Sequence, residues 1–140
     1  MAGNAARELS LPRGAEAPAL LWSAIEVVAP LAGAGAELRF RVELALTEVL
    51  TNILRHSGGE APIRVRHRAS PDRLDVLIVS DGVAFDMSRA DAALPTELLA
   101  EGGRGLFLIR ECVSGLRYRR HAGWNLHRLQ FRGVADASAG

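Results

Sequence analysis

No lysine occurs in the 140 residues, so all 17 positions of the combined lysine and arginine count are arginine. That removes mechanisms built on a Schiff-base lysine or on the lysine of a Walker phosphate loop. Alongside the abundant alanine, the bias points to a GC-rich genome more than to an arginine-specific task. Cysteine is almost missing too: Cys112 stands alone. No internal disulfide can form, a reducing cytoplasm fits, and Cys112 reads as a small buried apolar residue. An excess of one charge is also lacking. The net charge of +1 gives no steering toward nucleic acid or a membrane surface, and neither is expected as a partner. No apolar run reaches the roughly 20 residues that span a bilayer. The opening MAGNAARELS lacks a charged region followed by an apolar core, so a secretory signal is not expected either. His56, His67, His121 and His127 show neither an HExxH pattern nor paired ligand spacing, which argues against a metal hydrolase.

What is present suits one soluble domain: 49% apolar residues, 24% charged, and a length that supports a single core. RELSLP at residues 7–12 reads as a first strand. Residues 16–33 carry Leu20, Leu21, Ile25, Val28 and Leu31 at three- and four-residue steps, a helix with Pro18 near its tolerant start. Residues 35–56 give the strongest helical pattern, with Val42, Leu46, Val49, Leu50, Ile53 and Leu54 in one stripe, stopped by Ser57-Gly58-Gly59. The period then switches to two. Ile63, Val65 and His67, a turn at Ser70-Pro71-Asp72, then Leu74, Val76 and Ile78 predict an antiparallel hairpin. The nearly continuous apolar run from Val76 to Val79 predicts a central strand covered on both faces. A long connection over 81–103, a helix over 104–114, and strands over 116–121 and 124–132 follow. The order predicts an α+β fold, a two-layer α/β sandwich with a mixed, largely antiparallel sheet. One domain is expected over 8–132, with flexible ends at 1–7 and 133–140.

Three stretches could carry chemistry. In TEVLTNILRHS, Glu48, Asn52 and His56 recur every four residues and so share one helix face. A carboxylate can act as a base and an amide oxygen can bind Mg²⁺; a solvated helix edge is the plainer reading, and His56 could simply cap the helix end. SDGVAFD at 80–86 ends the central strand, either as a tight turn or as a place where backbone passes close to a ligand. EGGRGLFLI at 101–109 sets Gly102, Gly103 and Gly105 at a helix start, where N–H groups and the helix dipole favour phosphate. It is neither a Walker motif nor a dinucleotide fingerprint.

The order of these stretches resembles the GHKL, or Bergerat-fold, histidine kinase-like ATPases. Within them it is similar to the anti-sigma-factor serine/threonine kinases of the SpoIIAB/RsbW kind. TEVLTNILRHS looks like the N box, SDGVAFD the G1 box and EGGRGLFLI the G2 box, over about residues 8–132. The resemblance implies an ATP- and Mg²⁺-dependent protein-serine kinase. Asn52 would hold the metal ion and Glu48 would be the general base. Arg55, His56, Ser80, Asp81, Gly82, Phe85, Gly102, Gly103, Arg104, Gly105 and Leu106 would line the nucleotide, under a lid over 87–103. It also implies partners: a sigma factor that is sequestered, a STAS-domain anti-anti-sigma protein that is phosphorylated on serine, and a second copy in a homodimer.

One departure stands out. The family's G1 box runs approximately DxGxxFD, and its first aspartate binds the adenine amino group. Counted back from Phe85-Asp86, that position holds Ser80, with Asp81 one residue late. Neighbours on a strand point to opposite faces, so Asp81 replaces the missing carboxylate only if the strand bulges. Weaker or less adenine-selective binding is expected. Two alternatives remain open: a partner-switching anti-sigma protein that no longer uses nucleotide, and a stressosome-type switch kinase that activates a phosphatase.

Overall fold

The computed structural model describes residues 7–29, 35–89 and 104–133. The elements follow the expected order: β1 (Arg7–Leu11), α1 (Ala17–Val28), α2 (Ala36–Asn52), β2 (Ile63–Ser70), β3 (Arg73–Asp81), α3 (Arg104–Cys112), β4 (Gly115–His121) and β5 (Trp124–Arg132). Residues 90–103, most of the expected lid, lie outside the described residues. So do the expected flexible ends, apart from Arg7 and Gly133. Gly133 donates its N–H to the Asp72 carbonyl at 3.1 Å, which ties the end of β5 to the β2–β3 turn.

The strands form one sheet in the order β1-β2-β3-β5-β4. Every described pairing is antiparallel, so the expectation of a mixed sheet narrows to a purely antiparallel one. The alternation seen in the sequence sets the faces. On the inner face, Val65 stands opposite Ile78, Ile78 opposite His127, and His127 opposite Tyr118. Leu74, Val76, Leu129 and Phe131 extend that face, all at 1% exposure or less. They merge with Ile25 and Val28 of α1, Val42, Leu46, Val49 and Leu50 of α2, and Leu106 and Ile109 of α3 into one core. Each such side chain contributes about 1.5–3 kcal/mol through burial, which outweighs the weak propensity of any one element.

β3 is central, as its apolar run predicts, but the expected cover on both faces needs correction. Its inner residues are sealed under the helices, whereas Leu77 and Asp75 on the opposite face are only half-buried. Val79, at 7% exposure, is shielded there, with the exposed Arg64 as its partner on β2.

Candidate functional site

The site is assembled where α2 ends, β3 ends and α3 begins. α2 does not stop cleanly at Asn52. Its last turn widens into a π turn over Ile53–Ser57 before Gly58, at φ 68°, breaks the helix. Such widenings recur at functional sites. Here the Ser57 hydroxyl donates back to the Ile53 carbonyl at 3.0 Å, and the Ser57 carbonyl accepts the Val83 N–H at 2.8 Å. The end of α2 is thereby sewn to the turn that follows β3. Gly82 makes that close approach possible: its φ is +109°, and a Cβ there would lie 2.1 Å from the Ser57 carbonyl oxygen.

Glu48 and Asn52, one turn apart on α2, both meet the start of α3. A Cβ on Gly105 would lie 2.6 Å from Glu48 Oε1 and 3.6 Å from Asn52 Nδ2. Asn52 is buried at 5% exposure, and Glu48 is half-buried. The Asn52 amide nitrogen points at the Met87 sulfur, 3.8 Å away. A thioether is a weak acceptor, so the amide is oriented but only lightly held. His56, on the π turn, sets its ring edge-on to Phe85, with centroids 6.2 Å apart. Its Nε2 is buried and has no partner among the described residues. Arg55, beside it, is exposed.

Ser80 and Asp81 part company as strand parity requires. The ladder from β3 to β5 runs unbroken from Arg73 opposite Arg132 to Asp81 opposite Trp124, with no bulge. Ser80 therefore faces the helices. It is fully buried, and its hydroxyl oxygen has no partner among the described residues. Asp81, expected from the resemblance to line the nucleotide, is not brought to the cluster. Its carboxylate turns to the other side, accepting the N–H groups of Glu60 and Ala61 at 3.1 Å each and pairing with Arg13 at 3.2 Å. Partial burial opposes its charge, but those two N–H groups and Arg13 outweigh it and hold its pKa below the usual carboxylate range.

Sequence reasoning missed the supports. Arg13 also donates to the carbonyls of Ala61 at 2.9 Å and of Gly58, so one guanidinium ties the end of β1 to the α2–β2 loop and to β3. Asn125 pairs with Ser80 across the sheet. Its amide oxygen accepts the Phe85 N–H at 3.2 Å, the Tyr118 hydroxyl, and Arg120 at 3.1 Å, while its nitrogen donates to the Val83 carbonyl at 2.8 Å. His127 Nε2 accepts the Met87 N–H at 3.1 Å. That bond requires a neutral imidazole, and burial pushes the His127 pKa down to about 4. The available signal was a polar residue on the inward phase of a strand, at Asn125 and again at His127. Arg13 left no comparable trace.

Of the predicted residues, Glu48, Asn52, His56, Ser80, Gly82, Phe85, Gly105 and Leu106 lie in or against this junction. Gly102 and Gly103 fall outside the described residues, and Arg104 is described only as the first residue of α3. The inventory fits an adenine nucleotide. Two buried polar atoms, Ser80 Oγ and His56 Nε2, await partners. Beside Glu48 and Asn52 lies the first described turn of α3, and a helix start is a place where backbone N–H groups suit a phosphate.

A family profile described as the histidine kinase-like ATPase domain matches residues 13–131. The chain therefore belongs to that family. Its curated relatives put it in the RsbW-like branch of serine/threonine-protein kinases. It is 32% identical over 124 residues to the serine/threonine-protein kinase BtrW of Bordetella bronchiseptica, covering 84% of this chain and 86% of BtrW. It is 27% identical over 125 residues to the serine-protein kinase RsbW of Bacillus cereus, covering 83% and 78%. A crystal structure of the RsbU and RsbW domains of a Mycobacterium tuberculosis protein matches 91% of this chain and 32% of that chain, with a TM-score of 0.64 at 16% identity. At that identity the likeness speaks for the fold alone.

Proposed function

We propose that this protein is an ATP-dependent protein-serine kinase and anti-sigma factor. It sequesters a sigma factor, and it phosphorylates a STAS-domain anti-anti-sigma protein on serine. The observation that carries the proposal is the convergence of Glu48, Asn52 and Gly105 at the junction of α2 and α3. A base, an oxygen ligand and a phosphate-binding helix start meet there. In this reading, Asn52 holds Mg²⁺, which when bound neutralises charge on the phosphates. The backbone N–H groups of Gly103, Arg104, Gly105 and Leu106 face the same phosphates. Glu48 takes the proton of the incoming serine hydroxyl as its oxygen attacks the γ-phosphorus and ADP leaves. Ser80 offers a neutral oxygen to the adenine edge, and residues 87–103 close over the nucleotide. The kinase acts as a homodimer in the cytoplasm, and no described helix is long and apolar enough to cross a membrane.

Glu48→Ala tests the assignment. It should abolish phosphate transfer to the STAS-domain protein while sparing sigma-factor binding. Transfer at the wild-type rate would remove Glu48 from the mechanism. A second reading rests on Ser80: a partner-switching protein whose sigma complex is indifferent to nucleotide. Loss of transfer together with nucleotide-independent sigma binding in the unmodified protein would favour it.

A further inference from the structure

We propose that the outer face of the sheet, opposite the helices, is a docking surface for an acidic, amphipathic helical segment of a partner protein. The register builds it from two successive rows across four strands. One row reads Arg64, Val79, Leu126, Arg119, and the next reads Arg66, Leu77, Arg128, Arg117. The five arginines of these rows, Arg64, Arg66, Arg117, Arg119 and Arg128, project into solvent, while Leu77 and Leu126 are half-buried. An apolar lane thus runs along β3 and β5, through Leu77, Val79 and Leu126 to Trp124. It lies between an arginine rail on β2 and another on β4, and Arg128 bounds it on β5 beside Leu77. Arg64 closes one end, with its guanidinium 5.8 Å from the Trp124 ring centroid. Beside the lane, an open basin of about 270 Å³ is bordered by Arg66, Arg68, Asp75, Leu77 and Arg128.

Ordinary solvation explains an exposed charged face, but on this one the arginines outnumber the acidic residues Glu8, Asp75 and Asp81. Like charges directly opposite each other on neighbouring strands destabilise a sheet, yet Arg117 stands directly opposite Arg128. Acidic compensation is thin. Glu8 meets Arg66 only at 3.6 Å with both side chains exposed, and Asp75 is engaged by Arg73 at 3.1 Å. Arg117, Arg119 and Arg128 have no ion-pair partner among the described residues. The net charge of +1 therefore conceals a segregated surface. Its dimensions select the occupant. Three inter-strand steps of about 4.8 Å separate the rails by roughly 14 Å, and a helix with its side chains is about 10–12 Å across. A helix lying in the lane would set an apolar stripe on Leu77, Val79 and Leu126 and carry its acidic flanks to both rails. A nucleic-acid backbone would satisfy the arginines but leave the lane uncovered. A second copy of this chain would bring arginine against arginine. The surface lies across the sheet from Glu48 and Asn52, so it is separate from the proposed nucleotide site.

The test uses fluorescence of Trp124 in the full chain carrying Trp22→Phe, a change at an exposed position. The probe is a synthetic amphipathic helix with a leucine stripe and glutamate flanks, titrated at low and moderate salt. The proposal expects a saturable shift in Trp124 emission that weakens with salt. It expects affinity to fall by about tenfold or more in R117E/R119E/R128E. The same probe with lysine flanks should bind that variant better than the parent. R117Q/R119Q/R128Q, which removes charge without reversing it, should fall in between and keeps the test decisive should the reversed variant fail to fold. No Trp124 response, or equal binding of both peptides to the parent, would overturn the proposal. So would tighter binding of a single-stranded oligonucleotide than of the glutamate peptide, or conversion of a dimeric parent to monomers by these substitutions.

Discussion

Gly105 sits where any side chain would press on Glu48. A Cβ at that position would stand 2.6 Å from Glu48 Oε1, and the nearest atom is the mobile end of the side chain that the proposed chemistry needs in place. The backbone of Gly105 is an ordinary helical one, so the constraint is the approach of α3 to α2 and not a left-handed conformation.

That relationship separates stability from activity. Gly105→Ala removes a flexible residue from a helix, a change that stabilises by up to about 1 kcal/mol where the space allows. The carboxylate can swing aside at little cost, so the thermal midpoint should stay level or rise. Phosphate transfer should slow by about tenfold or more, equivalent to roughly 1.4 kcal/mol of lost transition-state stabilisation. Unaltered turnover in a folded variant would show that the position of Glu48 is not set by Gly105.

Ser80 makes the opposite trade. Its hydroxyl is buried without a partner among the described residues. Asp81 cannot stand in for it, because its carboxylate is held on the other side by Arg13 and the Glu60 and Ala61 amides. Ser80→Asp puts a charged acceptor where a neutral one stands, and charged hydrogen bonds are about twice as strong. ATP affinity should rise by about tenfold, while the nucleotide-free protein should lose stability from an unpaired buried carboxylate. Calorimetry and urea denaturation read the two effects separately. ATP affinity that stays flat would contradict the placement of Ser80 at the adenine edge.

Acid should weaken the fold through its buried histidines. The His127 pKa is about 4 in the folded chain, against the ordinary 6.5. Between those values the unfolded chain binds a proton that the folded chain refuses. The stabilisation is therefore complete above pH 6.5 and is lost progressively as the pH falls toward 4, by roughly 3 kcal/mol in all. His67 acts in the same direction: burial, and then the charge of Arg7, lowers its pKa too. Urea denaturation from pH 8 to pH 4.5 should show the decline. His127→Gln should make it shallower without abolishing it, because His67 remains. Identical slopes in the two proteins would show that His127 is not a source of the decline.

Much of the fold was legible because period and composition decide it locally. The stripe through Val42, Leu46, Val49 and Leu50 declared α2, and the alternation through Ile63–His67 and Leu74–Ile78 declared the hairpin. The same parity puts Ser80 and Asp81 on opposite faces from the sequence alone. What escaped was decided by contacts distant in sequence. Arg13 and Asp81 are 68 positions apart, and Asn125 meets Phe85 across 40. No local pattern encodes such pairs, although polar residues on the inward phase of β5 were a readable hint. The π turn also escaped, since the apolar stripe runs through Ile53 and Leu54 whichever way the last carbonyls bond. The arginine rails were visible as alternating residues, but their like-signed convergence depends on β4 lying beside β5 and β2 beside β3, which is a matter of topology.

The measurement closest to the central claim is calorimetric titration of Mg-ATP into the purified protein, with Mg-GTP as the control. The account predicts saturable, micromolar binding that prefers ATP, carried by the junction of Glu48, Asn52, Ser80 and the start of α3. No detectable heat for either nucleotide, in protein shown to be folded, would contradict it. The family's fold would then stand without its chemistry, and the protein would act through its partners alone.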